Sequence, residues 1–229
     1  MKGVRPLEYS MKRFKRGFTL VEMLTVIGVI TVLMAVILPT MKLMREESRS
    51  TSCRSTLRQL GASIQIYRQN IGDRLPMCEP LPAVTVNGPE GGLPEILDGY
   101  VETDCTCWFC AADTDPESTS TGTSFIYIPG LLRYLPPIQF RVGQALLPYL
   151  QSGEWDPSRL ESIRRDMESR EISSIYRQTR GQTIPVLADS QDRHPIGDRL
   201  PRNALYNDGS VAMLSESFTD IDLDTDENP

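Results

Sequence analysis

From Phe18 to Leu38 the sequence reads FTLVEMLTVIGVITVLMAVIL, twenty-one residues whose single charge is Glu22. As a helix this run spans about 30 Å, the hydrocarbon thickness of a bilayer. A secretory signal peptide would instead have an apolar core of roughly 7 to 15 residues ahead of a small-residue cleavage site. The run is too long for that, and no Ala-x-Ala follows it. Ahead of it stand Lys2, Arg5, Lys12, Arg13, Lys15 and Arg16 against Glu8 alone, a net charge of +5. The positive-inside tendency therefore puts the N-terminus in the cytoplasm and everything after Pro39 across the membrane.

Because the whole chain sums to −6, the part after the basic leader carries −11. A body this acidic repels a phosphate backbone, which argues against nucleic acid as a partner. With 40% hydrophobic and 24% charged residues, the 229-residue chain suffices for one globular domain plus an extra element.

Glu22 is the most informative residue. A carboxylate inside a membrane helix costs on the order of 2.5 to 3.5 kcal/mol, so a functional partner is its default reading. The alternative is snorkelling to the headgroups, since Glu22 is only four residues past Phe18.

Lys15-Arg16-Gly17-Phe18-Thr19-Leu20-Val21-Glu22 resembles the processing site of type IV prepilins and type II secretion pseudopilins. The resemblance implies that prepilin peptidase cuts between Gly17 and Phe18 and that the new Phe18 amine is methylated. It also implies a single-pass protein of the bacterial inner membrane with a periplasmic head, assembling with sister subunits on an inner-membrane platform. Cleavage would remove the basic leader and create a cationic amine, able to neutralise Glu22 of a neighbouring subunit in low dielectric. Pro39 is the twenty-second residue after the cleavage point, where family members often carry a helix-kinking proline. It reads either as that kink or as the stop of the membrane helix.

Cys53, Leu57, Leu60, Ile64, Tyr67 and Ile71 recur at helical spacing, with Arg49, Arg54, Arg58 and Arg68 outside the stripe. The helix is expected to reach about Asn70 and end at Gly72. The segment from Cys53 to Gly61, with Tyr67 and Leu75-Pro76, also resembles the stalk of pilin-like proteins of planctomycetes and verrucomicrobia. Ser55-Thr56 precede Leu57 here, so the asparagine of their Cys-x-x-Asn-Leu motif is absent.

Beyond the helix, Pro76 to Pro94 reads as an irregular excursion. Ser124 to Ile128 and Ile184 to Leu187 read as short strands. Ala204 to Asn207 and Ser210 to Leu214 flank Asp208-Gly209, a hairpin turn. Asp156-Pro157 opens a helix carrying Leu160, Ile163 and Met167. Gly-Asp-Arg-Leu-Pro occurs at 72–76 and again at 197–201, each copy a turn into a proline-restricted segment, without repeating flanks. The expected fold is α+β: a long N-terminal helix, half membrane and half amphipathic, packed on a small, mainly antiparallel sheet with irregular loops. Its parts are a leader (1–17), a transmembrane segment (18–38), a stalk (39–72), a head (73–219) and an acidic tail (220–229).

The five cysteines, Cys53, Cys78, Cys105, Cys107 and Cys110, would all be exported, where thiols tend to pair. Connectivity stays open; the pilin-like resemblance implies Cys53 with Cys110, although Ala111 replaces the proline usual after the second cysteine. Zinc held by Cys105, Cys107 and Cys110 with Cys78 is the other chemistry that thiolates suit. Cys107-x-x-Cys110 lacks the βαβ context of a redox motif. Leu187-Ala188-Asp189-Ser190, His194 and Leu205 to Val211 resemble the C-terminal signature of the same pilin-like group, with His194 at a longer spacing from the Asp208-Gly209 turn, so that His194 reads as a loop residue. Alternating acids at Asp220, Asp222, Asp224 and Asp226 raise calcium, against a solvated tail. No cofactor is therefore required. No Ser-His-Asp order, phosphate loop or metalloprotease helix is present, so the expectation is a structural subunit and not an enzyme. Its expected setting is a type II secretion pseudopilus. The rivals are a type IV pilus subunit in adhesion, motility or DNA uptake, a membrane-tethered enzyme using the cysteines, and a binding module on an uncleaved anchor.

Overall fold

A computed structural model describes residues 18–86, 88–153, 156–179, 184–194 and 202–214. The leader, the second Gly-Asp-Arg-Leu-Pro copy and the acidic tail lie outside these residues. The fold is α+β, as expected. The chain divides into two units, Met1–Met44 and Arg45–Pro229, a division that falls beyond the end of the apolar run.

Helix α1 (Leu20–Asn70) passes through Pro39, so the proline does not stop it. In the first unit the helix has the makings of a membrane span: Leu20–Leu38 has a mean hydropathy of 2.6 and none of it is buried. Thr25, Thr31 and Thr40 donate their hydroxyls to the carbonyls of Glu22, Gly28 and Ile37 at 2.8–2.9 Å. Those polar groups are therefore satisfied within the helix, as a hydrocarbon surrounding requires.

In the second unit the helical stripe is the core face: Cys53, Leu57, Leu60 and Ile64 are at most 2% exposed. Tyr67 sets the edge of its ring against Tyr100, with centroids 5.8 Å apart. Two residues depart from the predicted stripe. Ile71 is exposed, whereas Arg68 is buried, its Nη1 donating to Asn207 Oδ1 at 2.7 Å and its Nη2 pairing with Asp73 at 2.5 Å. The helix ends as the glycine signals: Gly72 and Asp73 take left-handed φ values of 70° and 57°. The Asp73 N–H then closes back on Arg68 O at 2.7 Å.

The proline-rich excursion contains a short hairpin, β1 (Ala83–Thr85) with β2 (Gly88–Glu90), and leads into α2 (Gly92–Ile96). A 3-10 turn at Thr106–Trp108 and α3 (Pro116–Thr121) follow. The main sheet comprises β3 (Phe125–Tyr127), β4 (Pro185–Asp189), β5 (Asn203–Tyr206) and β6 (Val211–Met213), antiparallel in the order β3-β4-β5-β6. Asp208-Gly209 turns β5 into β6 as predicted, with Gly209 at φ 80°. Ile128, predicted to close a strand, instead begins α4 (Ile128–Leu132).

The head is more helical than its loop-rich sequence suggested. Between β3 and β4 lie α4, α5 (Pro136–Gln151) and α6 (Pro157–Gln178). Asp156 caps α6, accepting from the Ser158 N–H at 3.0 Å with Pro157 in the first turn. One face of α6 grips the chain beyond the stalk: Ser169 donates to Leu75 O and Ser173 accepts from Leu75 N–H, at 3.0 and 2.9 Å. Tyr127 and Tyr176 are fully buried, and their hydroxyls donate to Pro76 O and Pro185 O at 2.8 and 2.6 Å.

Gly130 marks the tightest approach. A Cβ built there would lie 2.7 Å from Cys78 O and 2.8 Å from Pro80 N, both backbone atoms that cannot swing aside. Gly130→Ala is expected to cost about 1 to 3 kcal/mol through overpacking. Chemical denaturation of the detergent-solubilised chain, followed by tryptophan fluorescence, measures it. An unchanged midpoint would show that α4 can move off Cys78–Pro80.

Candidate functional site

Two constellations emerge, one at the start of α1 and one beneath the stalk. Phe18 is exposed just ahead of the helix, while Gly17 lies outside the described residues. The Thr19 N–H and hydroxyl both donate to Glu22 Oε2 at 2.8 Å, and the Glu22 N–H donates to Thr19 Oγ1 at 3.3 Å. This reciprocal closure is a capping box, satisfying donors that a helix start leaves open. Sequence reasoning took Glu22 as a carboxylate awaiting a partner from outside. The Thr19-x-x-Glu22 spacing was the signal that it also has a local one.

The second constellation draws on four segments. Cys53 comes from α1, Cys110 from the loop after the 3-10 turn, Asp189 from the end of β4 and His194 from the loop beyond it. All four are buried, with ligand atoms within 4.8 Å of one another. Cys53 Sγ donates to Asp189 Oδ1 at 3.3 Å, His194 Nε2 lies 3.3 Å from Cys110 Sγ, and it lies 3.4 Å from Asp189 Oδ2. A further layer orients the carboxylate: the Asn203 N–H donates to Asp189 Oδ2 at 2.8 Å, and Arg54 Nε donates to Asn203 Oδ1 at 3.0 Å.

Proximity sets the ionisation of the group. The neighbouring Cys53, then His194, outweigh burial and pull Cys110 down to about 5. Cys53 is pushed up by the neighbouring Cys110 and by burial. Burial, then the charge of Cys110, raises Asp189 to about 6. Burial disfavours the His194 cation, but Cys110 and Asp189 prevail and raise it. Cys110 is thus the thiolate of the set.

The other cysteines are placed differently from the predicted zinc set. Cys105 and Cys107 are bonded to each other, and Cys78 is a separate buried thiol, raised by desolvation. Cys78, Cys105, Cys107 and Cys110 therefore do not converge as zinc ligands, and Cys107 is not paired with Cys110. Cys53 does face Cys110, both as free thiols. His194, read as a plain loop residue, is 4% exposed and belongs to the cluster. Asp189, which lies in the same C-terminal resemblance as His194, was given no site role and belongs to the cluster as well. The tail acids raised for calcium lie outside the described residues.

Residues 12–38 match the prokaryotic N-terminal methylation motif. No curated protein and no solved structure matches the chain. The matched segment holds the end of the basic leader, the Gly17–Phe18 junction, Glu22 and the apolar helix. The N-terminal segment therefore carries a prepilin-type methylation motif, which supports a pilin-like, prepilin-processed protein. The motif implies cleavage and methylation by prepilin peptidase and assembly with other pilins, and the apolar helix suits a membrane-anchored subunit.

Proposed function

We propose that this chain is a structural subunit of a type II secretion pseudopilus and not an enzyme. It waits in the inner membrane with its head in the periplasm, is trimmed at Gly17, and is drawn by an assembly platform into a helical polymer of sister subunits. The observation that carries the reading is the methylation motif in register with an unburied apolar helix that holds one acid. In the polymer, the methylated Phe18 amine of one subunit neutralises Glu22 of the next, which fixes the axial stagger. The large acidic head, a size that favours a pseudopilin over a surface pilus subunit, coats the filament.

Mass spectrometry of the native N-terminus tests the first step, with a methylated phenylalanine expected and a retained Met1–Gly17 leader contradicting it. Glu22→Leu is expected to abolish incorporation into the polymer while leaving cleavage intact, read by crosslinking of membrane-extracted subunits. Normal co-assembly of Glu22→Leu with the parent chain would remove the register role. Loss of protein secretion on deletion supports the pseudopilus; surface filaments containing this chain would assign it to a type IV pilus instead.

A further inference from the structure

We propose that Cys53, Cys110, Asp189 and His194 form a tetrahedral zinc site that fastens the second half of α1 to the sheet. Structural zinc takes four protein ligands, with bonds of about 2.3 Å to sulfur and about 2.0–2.2 Å to nitrogen or oxygen. A tetrahedron with such bonds has edges of about 3.3 to 3.8 Å. The observed neighbour distances are 3.3 Å for Cys53 Sγ to Asp189 Oδ1 and 3.3 Å for Cys110 Sγ to His194 Nε2, with the second carboxylate oxygen, Asp189 Oδ2, 3.4 Å from His194 Nε2. With all four ligand atoms within 4.8 Å of one another, small side-chain rotations close the group to ligand-shell dimensions.

The polar accounting points the same way. Asp189 is 0% exposed, and a buried carboxylate needs a cation or several donors. Oδ2 has the Asn203 N–H, whereas Oδ1 receives the Cys53 thiol. Were Cys53 and Cys110 oxidised to a disulfide, that thiol donor would vanish and His194 Nε2 would face a sulfur with no proton to share. A divalent cation at the centre satisfies Asp189 Oδ1, both sulfurs and the imidazole together. The outer layer is also present, since Asn203 holds the carboxylate and Arg54 holds Asn203. The four ligands are fixed by α1, the loop at Cys110, the end of β4 and the loop beyond it, so the ion would join segments up to 141 residues apart, from Cys53 to His194.

The test uses the full chain, extracted in detergent without chelator. Elemental analysis is expected to give about one zinc per chain. Cobalt(II) exchanged into the parent protein is expected to give the intense visible bands of tetrahedral coordination and the ultraviolet band of thiolate ligation, which requires no variant to fold. His194→Ala and Cys110→Ser should lose bound metal, and Cys78→Ser, at the buried thiol outside the cluster, should keep it. The proposal is overturned by a mapped Cys53–Cys110 disulfide in metal-free protein. It is equally overturned by reduced thiols that take up neither zinc nor cobalt, or by a metal content that His194→Ala and Cys110→Ser leave unchanged.

Discussion

Arg133→Met is expected to destabilise the head by about 3 to 5 kcal/mol, the loss that follows when one member of a buried ion pair is removed. Arg133 ends α4 and is nearly buried, with Nη1 at 2.9 Å from Glu79 Oε1 and Nη2 at 3.2 Å from Glu168 Oε2. Glu168, on α6, has a side chain only 1% exposed. Its other oxygen faces Arg164 Nε at 3.9 Å, and neither oxygen has a well-formed hydrogen bond. Charge pairing with Arg133 is therefore what makes burial of Glu168 tolerable. Adding Glu168→Leu to Arg133→Met should restore much of the loss, because the pair together gains little over apolar residues of similar volume. Equilibrium unfolding of the two single variants and the double variant measures the coupling. A loss below about 1 kcal/mol for Arg133→Met would mean that water reaches the pair, as at an exposed salt bridge.

Leu57→Ala is expected to cost about 3 to 5 kcal/mol, in the upper part of the range for buried leucine truncations. The upper part applies where the surroundings cannot close over the gap. Leu57 is fully buried, and one turn later Gly61 lies so close to β5 that an added Cβ would be 2.8 Å from the Leu205 side chain. The helix and the strand already touch, so the space left by Leu57 stays open. Leu24→Ala, at an exposed position of the first unit, should change head unfolding by no more than about 0.5 kcal/mol. Equal midpoints for the two variants would mean that the stripe does not anchor the helix.

The parts of this fold that could be read from sequence are those written in local repeats. The apolar run, the stripe from Cys53 to Tyr67, the Asp208-Gly209 hairpin and the Asp156-Pro157 helix start each depend on neighbours a few residues away. Where Pro136, Pro137, Gly143 and Pro148 crowd together, local signals of breakage hid α5, since two of those prolines sit in its first turn, where no N–H is required. Arg68 falls outside the apolar stripe and is nevertheless buried, where Asn207 and Asp73 meet it, one of them 139 residues away. The thiol cluster was least legible. Cys53 meets Asp189 across 136 residues, and only the sheet order brings β4 and the loop beyond it under the stalk. Spacing left the pairing of the exported cysteines open, and only the pilin-like resemblance pointed to Cys53 and Cys110 as neighbours, which they are, as free cysteines.

The Thr19–Glu22 closure has a consequence for the life of a solitary subunit. Its acid already holds two donors from its own first turn, so a copy stored in a membrane, as proposed, would not present a naked anion to lipid. On the proposed function, joining a filament would be an exchange of one set of donors for another, and the difference between the two sets would govern how readily a stored copy is recruited.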